Sequence, residues 1–122
     1  MSVQQQLITA EAFWAMPDPP DKRLELVHGV VRKKPLMGVQ AGFAKGNLLT
    51  ALGRFVKQHD LGLVLPGFGC VLRRNPDTVC AVGICFLAWE HVPEGELPDW
   101  FWEGPPTLAA EVVSFQDLAN DV

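Results

Sequence analysis

The sequence predicts a mixed α/β fold. Three observations carry this reading. One segment in the middle of the chain has apolar residues at helical spacing, Ala44, Leu48, Leu52, Phe55 and Val56. Short runs on either side of it are either alternating or fully apolar, as strands are. Hydrophobic residues make up 48% of the 122, enough for a packed core and too many for a disordered chain. The length suits a single domain covering residues 1–122.

Taken in order, Thr9 can cap a short helix through Ala10, Glu11, Ala12, Phe13 and Trp14, its hydroxyl accepting from a free N–H of the first turn. Pro17-Asp18-Pro19-Pro20-Asp21 ends that helix, because proline lacks a donor and restricts the residue before it. Arg23-Leu24-Glu25-Leu26-Val27 alternates, His28-Gly29 makes a two-residue turn, and Val30-Val31-Arg32-Lys33 returns. The main helix is expected from Phe43 to His59, weakened by Gly46 and Gly53. Leu63-Val64-Leu65 and Cys70-Val71-Leu72-Arg73 read as strands around a turn at Pro66-Gly67. The stretch from Val79 to Leu87 is apolar throughout and reads as one central strand buried on both faces. Val92 to Pro106 reads as a loop, and Leu108 to Ser114 as a final strand.

Charge and cysteines narrow the classes of function. A net charge of −4 opposes strong nonspecific DNA binding, which needs several cations aimed at phosphates. Lys22-Arg23, Arg32-Lys33-Lys34 and Arg73-Arg74 are local basic groups, each read as a solvated edge or a phosphate-facing patch. Cys70, Cys80 and Cys85 form no C-x-x-C pair and lie apart from His28, His59 and His91, so they read as buried thiols rather than zinc ligands. The start lacks the basic-then-apolar pattern of a signal peptide, and no apolar run reaches the ~18 residues of a membrane span. The expected setting is cytoplasmic. Trp100-Phe101-Trp102 reads as a plug at a core edge, with base stacking as the alternative.

Two carboxylates stand out. Glu111 lies within Leu108-Ala109-Ala110-Glu111-Val112-Val113, where a charge is costly unless it is paired or bound to a metal. Glu25 sits in the hairpin, where alternation alone could expose it.

Five motifs in order then suggest a family. They are Thr9-x-Glu11-x-Phe13, Leu24-Glu25-Leu26-Val27-His28-Gly29, Ala41-Gly42-x-Ala44-x-Gly46-x-Leu48, Asp77-Thr78-Val79-x-Ala81-x-x-Ile84-x-Phe86, and Gly104-x-Pro106-x-Leu108-x-x-Glu111-Val112-Val113-Ser114. Together they resemble the Uma-two family of restriction endonucleases, in the PD-(D/E)XK nuclease class. The resemblance implies a restriction-endonuclease-like core, a central mixed sheet with flanking helices. It also implies DNA as substrate and Mg²⁺ held by hard oxygen ligands, with phosphodiester hydrolysis as the reaction.

Carried over by position, Glu25 matches the hairpin glutamate and Glu111 the later strand glutamate, and these two are the expected catalytic and metal-binding residues. The chain departs from the pattern elsewhere. Val82-Gly83 stands where the family has Pro-Asp, Ala41 where it has histidine, His28 for an aspartate, and Leu24 for an aromatic. Ser114-Phe115-Gln116 replaces Ser-Pro-Ser, although Asp117 fits. The family's lysine lies past the segment matched by Asp117 to Val122, which leads to the expectation of a truncated product or a fragment. Asp77 and Glu90 are roughly 20 Å or more from Gly83 along an extended strand and cannot replace the missing acid there.

The resemblance therefore implies a nuclease domain with low or no activity and weak Mg²⁺ binding, Glu25 and Glu111 being its remaining ligands. The alternatives are residual Mg²⁺-dependent cleavage and a non-catalytic binding or assembly module. If the carry-over holds, the two carboxyl groups lie within reach of one ion, given Mg–O distances of ~2.1 Å and one bridging water. A homodimer is also expected, through apolar surface on the strands from Val79 to Leu87 and from Leu108 to Val113.

Overall fold

The structure is a computed structural model and describes residues 6–17 and 22–113. The opening residues 1–5, most of the proline-rich breaker (18–21) and the segment 114–122 with Asp117 lie outside the described residues. The fold is mixed α/β, with a five-stranded mixed sheet, a second small sheet and one main helix. The described residues fall into two compact units. One gathers those up to Leu36 with Gly69–Ala81 and Pro98–Pro105, and the other gathers Met37–Phe68 and Val82–Leu97 with those from Pro106 onward.

The first unit begins with α1 (Ala10–Trp14), and Thr9 caps it as expected, its hydroxyl accepting from Ala12 N–H at 3.1 Å. The hairpin follows as β1 (Lys22–Val27) and β2 (Val30–Pro35), with Val27 opposite Val30. His28 and Gly29 both have positive φ, 50° and 80°, which is the geometry a two-residue turn needs to match strand twist. Gly29 is confined further, since a Cβ there would stand 2.8 Å from that of Leu7. The sheet is completed by β4 (Gly69–Arg73), β5 (Thr78–Ala81) and β7 (Trp102–Glu103), in the order β2-β1-β5-β4-β7. Among the described strands of this sheet only β4 and β7 run parallel. Leu26, Val71 and Val79 form its buried face with Ala10 and Phe13, and Trp100 and Phe101 pack against them. The aromatic triplet thus plugs a core edge through two of its members.

A buried acid ties this unit together. Asp77 is 6% exposed. Its carboxylate accepts from Ala10 N–H at 2.8 Å and Asn75 N–H at 3.1 Å, and pairs with Arg74 at 3.1 Å. Those bonds, the Ala10 N–H foremost, hold the Asp77 carboxyl below its ordinary value.

The second unit holds α2 (Val39–Gln58) and three antiparallel strands in the order β3 (Gly62–Pro66), β6 (Ile84–Ala88), β8 (Leu108–Ala110). Four expectations change across the two units. The run from Val79 to Leu87 is not one strand. It breaks at Val82-Gly83, so that β5 and β6 belong to different sheets. Hydrophobicity alone cannot signal that break, because both halves are buried.

The main helix starts at Val39 rather than Phe43, and its buried side is turned from the expected stripe. Val56 is buried and Leu49 and Leu52 half-buried, whereas Ala44, Leu48 and Phe55 are exposed. The stretch from Val92 to Pro106 is not wholly loop, since it contains β7 and a 3-10 turn at Pro93–Gly95. The last strand ends at Ala110, short of Ser114.

The apolar surface expected on the strands is likewise uneven. Val79, Ile84, Cys85 and Leu87 are buried, while Leu108 and Val113 are exposed. Cys70 is also buried, and Cys80 is half-buried. Among the described residues no helix is long and apolar enough to cross a membrane.

Asp77→Ala strands the buried Ala10 N–H and should destabilise the fold by ~1–3 kcal/mol, read by urea unfolding. Because the folded Asp77 carboxyl titrates below its unfolded value of ~3.9, its stabilisation is present above that pH and is lost as pH falls through the folded value. Asp77→Asn should therefore flatten the acid limb of the stability profile. Gly46 and Gly53 lie inside α2, and a Cβ added at either would meet nothing within 4 Å. Changing either to alanine should stabilise by ~0.5–1 kcal/mol in thermal melts.

Candidate functional site

Glu25 stands in β1 opposite Arg32, on the other face of the strand from the core residues Leu24 and Leu26. Its carboxylate accepts from Ala81 N–H at 3.1 Å and lies 3.3 Å from Lys34 Nζ, with its side chain 12% exposed. The main-chain register between β1 and β5 is a single pair, Leu26 with Val79. The Glu25 side chain thus supplies the acceptor for Ala81 that a longer ladder would give. Nearby, burial pushes the Cys80 thiol up, helped by the Glu25 charge and opposed by Lys34. The Lys34 contact is not evident from composition or motif, although the hairpin register carries a signal for it. Pairing fixed by the His28-Gly29 turn sets Lys34 diagonally across from Glu25.

Glu111 follows the last residue of β8 and is exposed. The high cost assumed for a charge inside an apolar strand is therefore not met, because the strand stops one residue before it. Its Oε1 accepts from Gly83 N–H at 2.8 Å. A Cβ built on Gly83 would lie 3.1 Å from Glu111 Oε2 and 3.3 Å from the Ala110 carbonyl oxygen. Any side chain at position 83 would thus begin beside the Glu111 carboxylate. That is the position at which the resemblance expects an aspartate.

The structure brings together Glu25 with Lys34, and Glu111 with Gly83. Glu25 belongs to the first unit and Glu111 to the second. Asp77 is engaged with Ala10, Asn75 and Arg74. Glu90 is exposed. Among the described residues no three His, Cys, Asp or Glu side chains converge into a group that could hold a metal ion. Mg²⁺ asks for several oxygen ligands in near-octahedral geometry, and the described residues do not fit that demand. Arg74 joins the acids Glu11, Asp77 and Glu103 and lies 5.8 Å from the Trp100 ring centroid. That leaves it paired inside its own unit rather than presented to a phosphate.

Comparison with known proteins places the chain among those described as "Putative restriction endonuclease". The match is to Uma2 and covers residues 10–121, and the chain belongs to that family. No curated protein matches it.

The Gly83–Glu111 contact can be tested directly. Gly83→Ala forces Glu111 to shift by a few tenths of an ångström and weakens a charge-assisted bond. A loss of ~1–2 kcal/mol is expected, with a similar loss for Glu111→Ala. A double-mutant cycle in urea should give a coupling above ~0.5 kcal/mol. Strict additivity would mean that the two residues do not interact in solution.

Proposed function

We propose that this chain is a restriction-endonuclease-family domain with low or no phosphodiester-cleaving activity. The fold is read as a variant of the restriction-endonuclease-like core. Glu25 and Glu111 are read as what remains of its acidic site. The observation that carries the proposal is Gly83, which has no side chain to offer and whose N–H is bonded to Glu111. Metal-assisted hydrolysis needs an ion that polarises the phosphoryl oxygen and steadies developing charge. Two carboxylates that each already serve a main-chain N–H, with no acid at position 83, make a poor cage for it.

DNA is the family's substrate class. The groups that could meet phosphates are the exposed Arg32, Lys33 and Lys34 on β2, an edge strand. Edge strands carry such charges for another reason, to block pairing with other chains. With Lys34 also held by Glu25 and a net charge of −4, DNA contact should be weak and salt-sensitive.

The test is nicking of supercoiled DNA with Mg²⁺ or Mn²⁺, run beside calorimetric metal titration. The wild-type chain should cleave no better than Glu111→Ala and bind metal more weakly than micromolar. Gly83→Asp should tighten metal binding by ~10-fold or more, the order by which lost metal-site contacts weaken it. Wild-type cleavage abolished by Glu111→Ala, or micromolar metal binding abolished by it, would overturn the proposal.

A further inference from the structure

We propose that Cys70 and Cys80 are a redox pair that closes into a reversible disulfide across β4 and β5. The proposal concerns the first unit alone and stands independently of the nuclease reading. Both strands belong to that unit, and their antiparallel register sets Cys70 directly opposite Cys80. Residues so placed share one face of a sheet. The next pair along, Val71 and Val79, lies in the core, so the two cysteines sit together on the other face.

The spacing suits the bond. Ala81 directs its N–H to the Glu25 carboxylate of β1, so Cys80, one residue earlier, turns its own N–H and C=O toward β4. That makes Cys70 and Cys80 a hydrogen-bonded pair with Cα atoms ~5.5 Å apart, inside the ~4.4–6.8 Å that disulfides span. Their Cβ atoms start ~4.5–5.5 Å apart, against ~3.5–4.5 Å in the bond, so closure draws the strands together by roughly 1 Å. The surroundings permit that movement. Gly69 with Ala81 is the last pair of the ladder, and the register shifts between Val71 and Arg73 on the other side. A bond closed against the pull of the ladder is readily reduced again by a thiol.

The two thiols have different parts to play. Cys70 is fully buried and Cys80 half-buried, so a small peroxide meets Cys80 first. The Cys80 thiolate attacks one peroxide oxygen, the O–O bond breaks, and a sulfenic acid and one water result. The Cys70 sulfur then attacks the Cys80 sulfur, gives up its proton and displaces the oxygen as a second water. Two thiols thereby lose two hydrogens, and the peroxide is reduced to two waters. Burial pushes the Cys80 thiol up, which keeps thiolate scarce at neutral pH and the reaction slow. The pair answers sustained oxidation, not a brief pulse.

The test is to hold the folded full chain in hydrogen peroxide for hours, then to unfold it in acid and measure its intact mass. A monomer lighter by ~2 Da is expected, the mass of the two hydrogens. Alkylation in urea should then add one group, where the reduced chain with its three cysteines takes three. Fragmentation should join Cys70 to Cys80, and dithiothreitol should restore the starting mass. Cys70→Ser should stop at a sulfenic acid on Cys80 that dimedone traps, and Cys85→Ser should still close. The wild-type fragment map decides the matter even where a variant at a buried cysteine fails to fold. The proposal fails if peroxide leaves the mass unchanged or only adds oxygen. It fails equally if the bond joins Cys85 or a second chain, or if it forms only once urea has unfolded the protein.

Discussion

The Asp77 carboxylate satisfies the Ala10 N–H, the first donor of α1, and the Asn75 N–H of the turn between β4 and β5. A buried donor left without a partner costs ~1–3 kcal/mol, and Ala10 is fully buried. The outer members of the cluster weigh less. Glu11 and Glu103 meet Arg74 at 3.0 and 3.2 Å, but all three side chains are well exposed, and solvent-screened pairs of this kind add little to stability. The inner acid therefore decides whether α1, the hairpin and the β4–β5 turn hold as one unit. Its main-chain carbonyl adds a bond from Gly29 N–H at 2.7 Å, and the Thr78 hydroxyl beside it accepts from His28 N–H.

The same device recurs at both candidate site residues. Asp77, Glu25 and Glu111 each accept from a main-chain N–H, those of Ala10, Ala81 and Gly83. In each case the carboxylate serves a donor outside the regular ladder, where a backbone group would otherwise lack an acceptor. This gives Glu25 and Glu111 a structural role whether or not either touches a metal. The two roles are not exclusive, since an ionised carboxylate offers about four lone-pair sites. Among the described residues no three acidic, histidine or cysteine side chains gather into a group that could hold a metal ion.

Features set by local chemistry are legible in the sequence. Thr9 as a cap and His28-Gly29 as a two-residue turn rest on the residues themselves, and the structure bears both out. The apolar character of Trp100 and Phe101 points rightly to the core edge. Where the outcome depends on partners distant in sequence, legibility falls off. The existence of α2 is clear, but its buried side is not, because the helix has apolar residues on more than one flank and nothing local marks Leu49 as an inward one. The break at Val82-Gly83 is hidden for a similar reason. Nothing in a fully apolar run says which sheet each half will join. Glu111 stands out by its neighbours, yet the strand ends before it and leaves it exposed. Five weak motifs in order carry the family where no single one can.

On the reading proposed above, Gly83 would let the fold persist without metal-dependent chemistry. A Cβ there already lies 3.1 Å from a Glu111 oxygen, so an aspartate would bring a second carboxylate against the first. Two such groups without a cation between them repel, and one is driven toward protonation. With a divalent ion in place the same pair is favourable, because the ion outweighs the repulsion. Without a complete ligand set that compensation is gone, and a neutral residue becomes the more stable occupant. Glycine meets the need twice, by adding no charge and by leaving its N–H clear to bond Glu111. Active sites commonly sacrifice stability for function. On that reading position 83 would be the converse, an arrangement that relieves the repulsion of an acidic pair at the cost of a ligand.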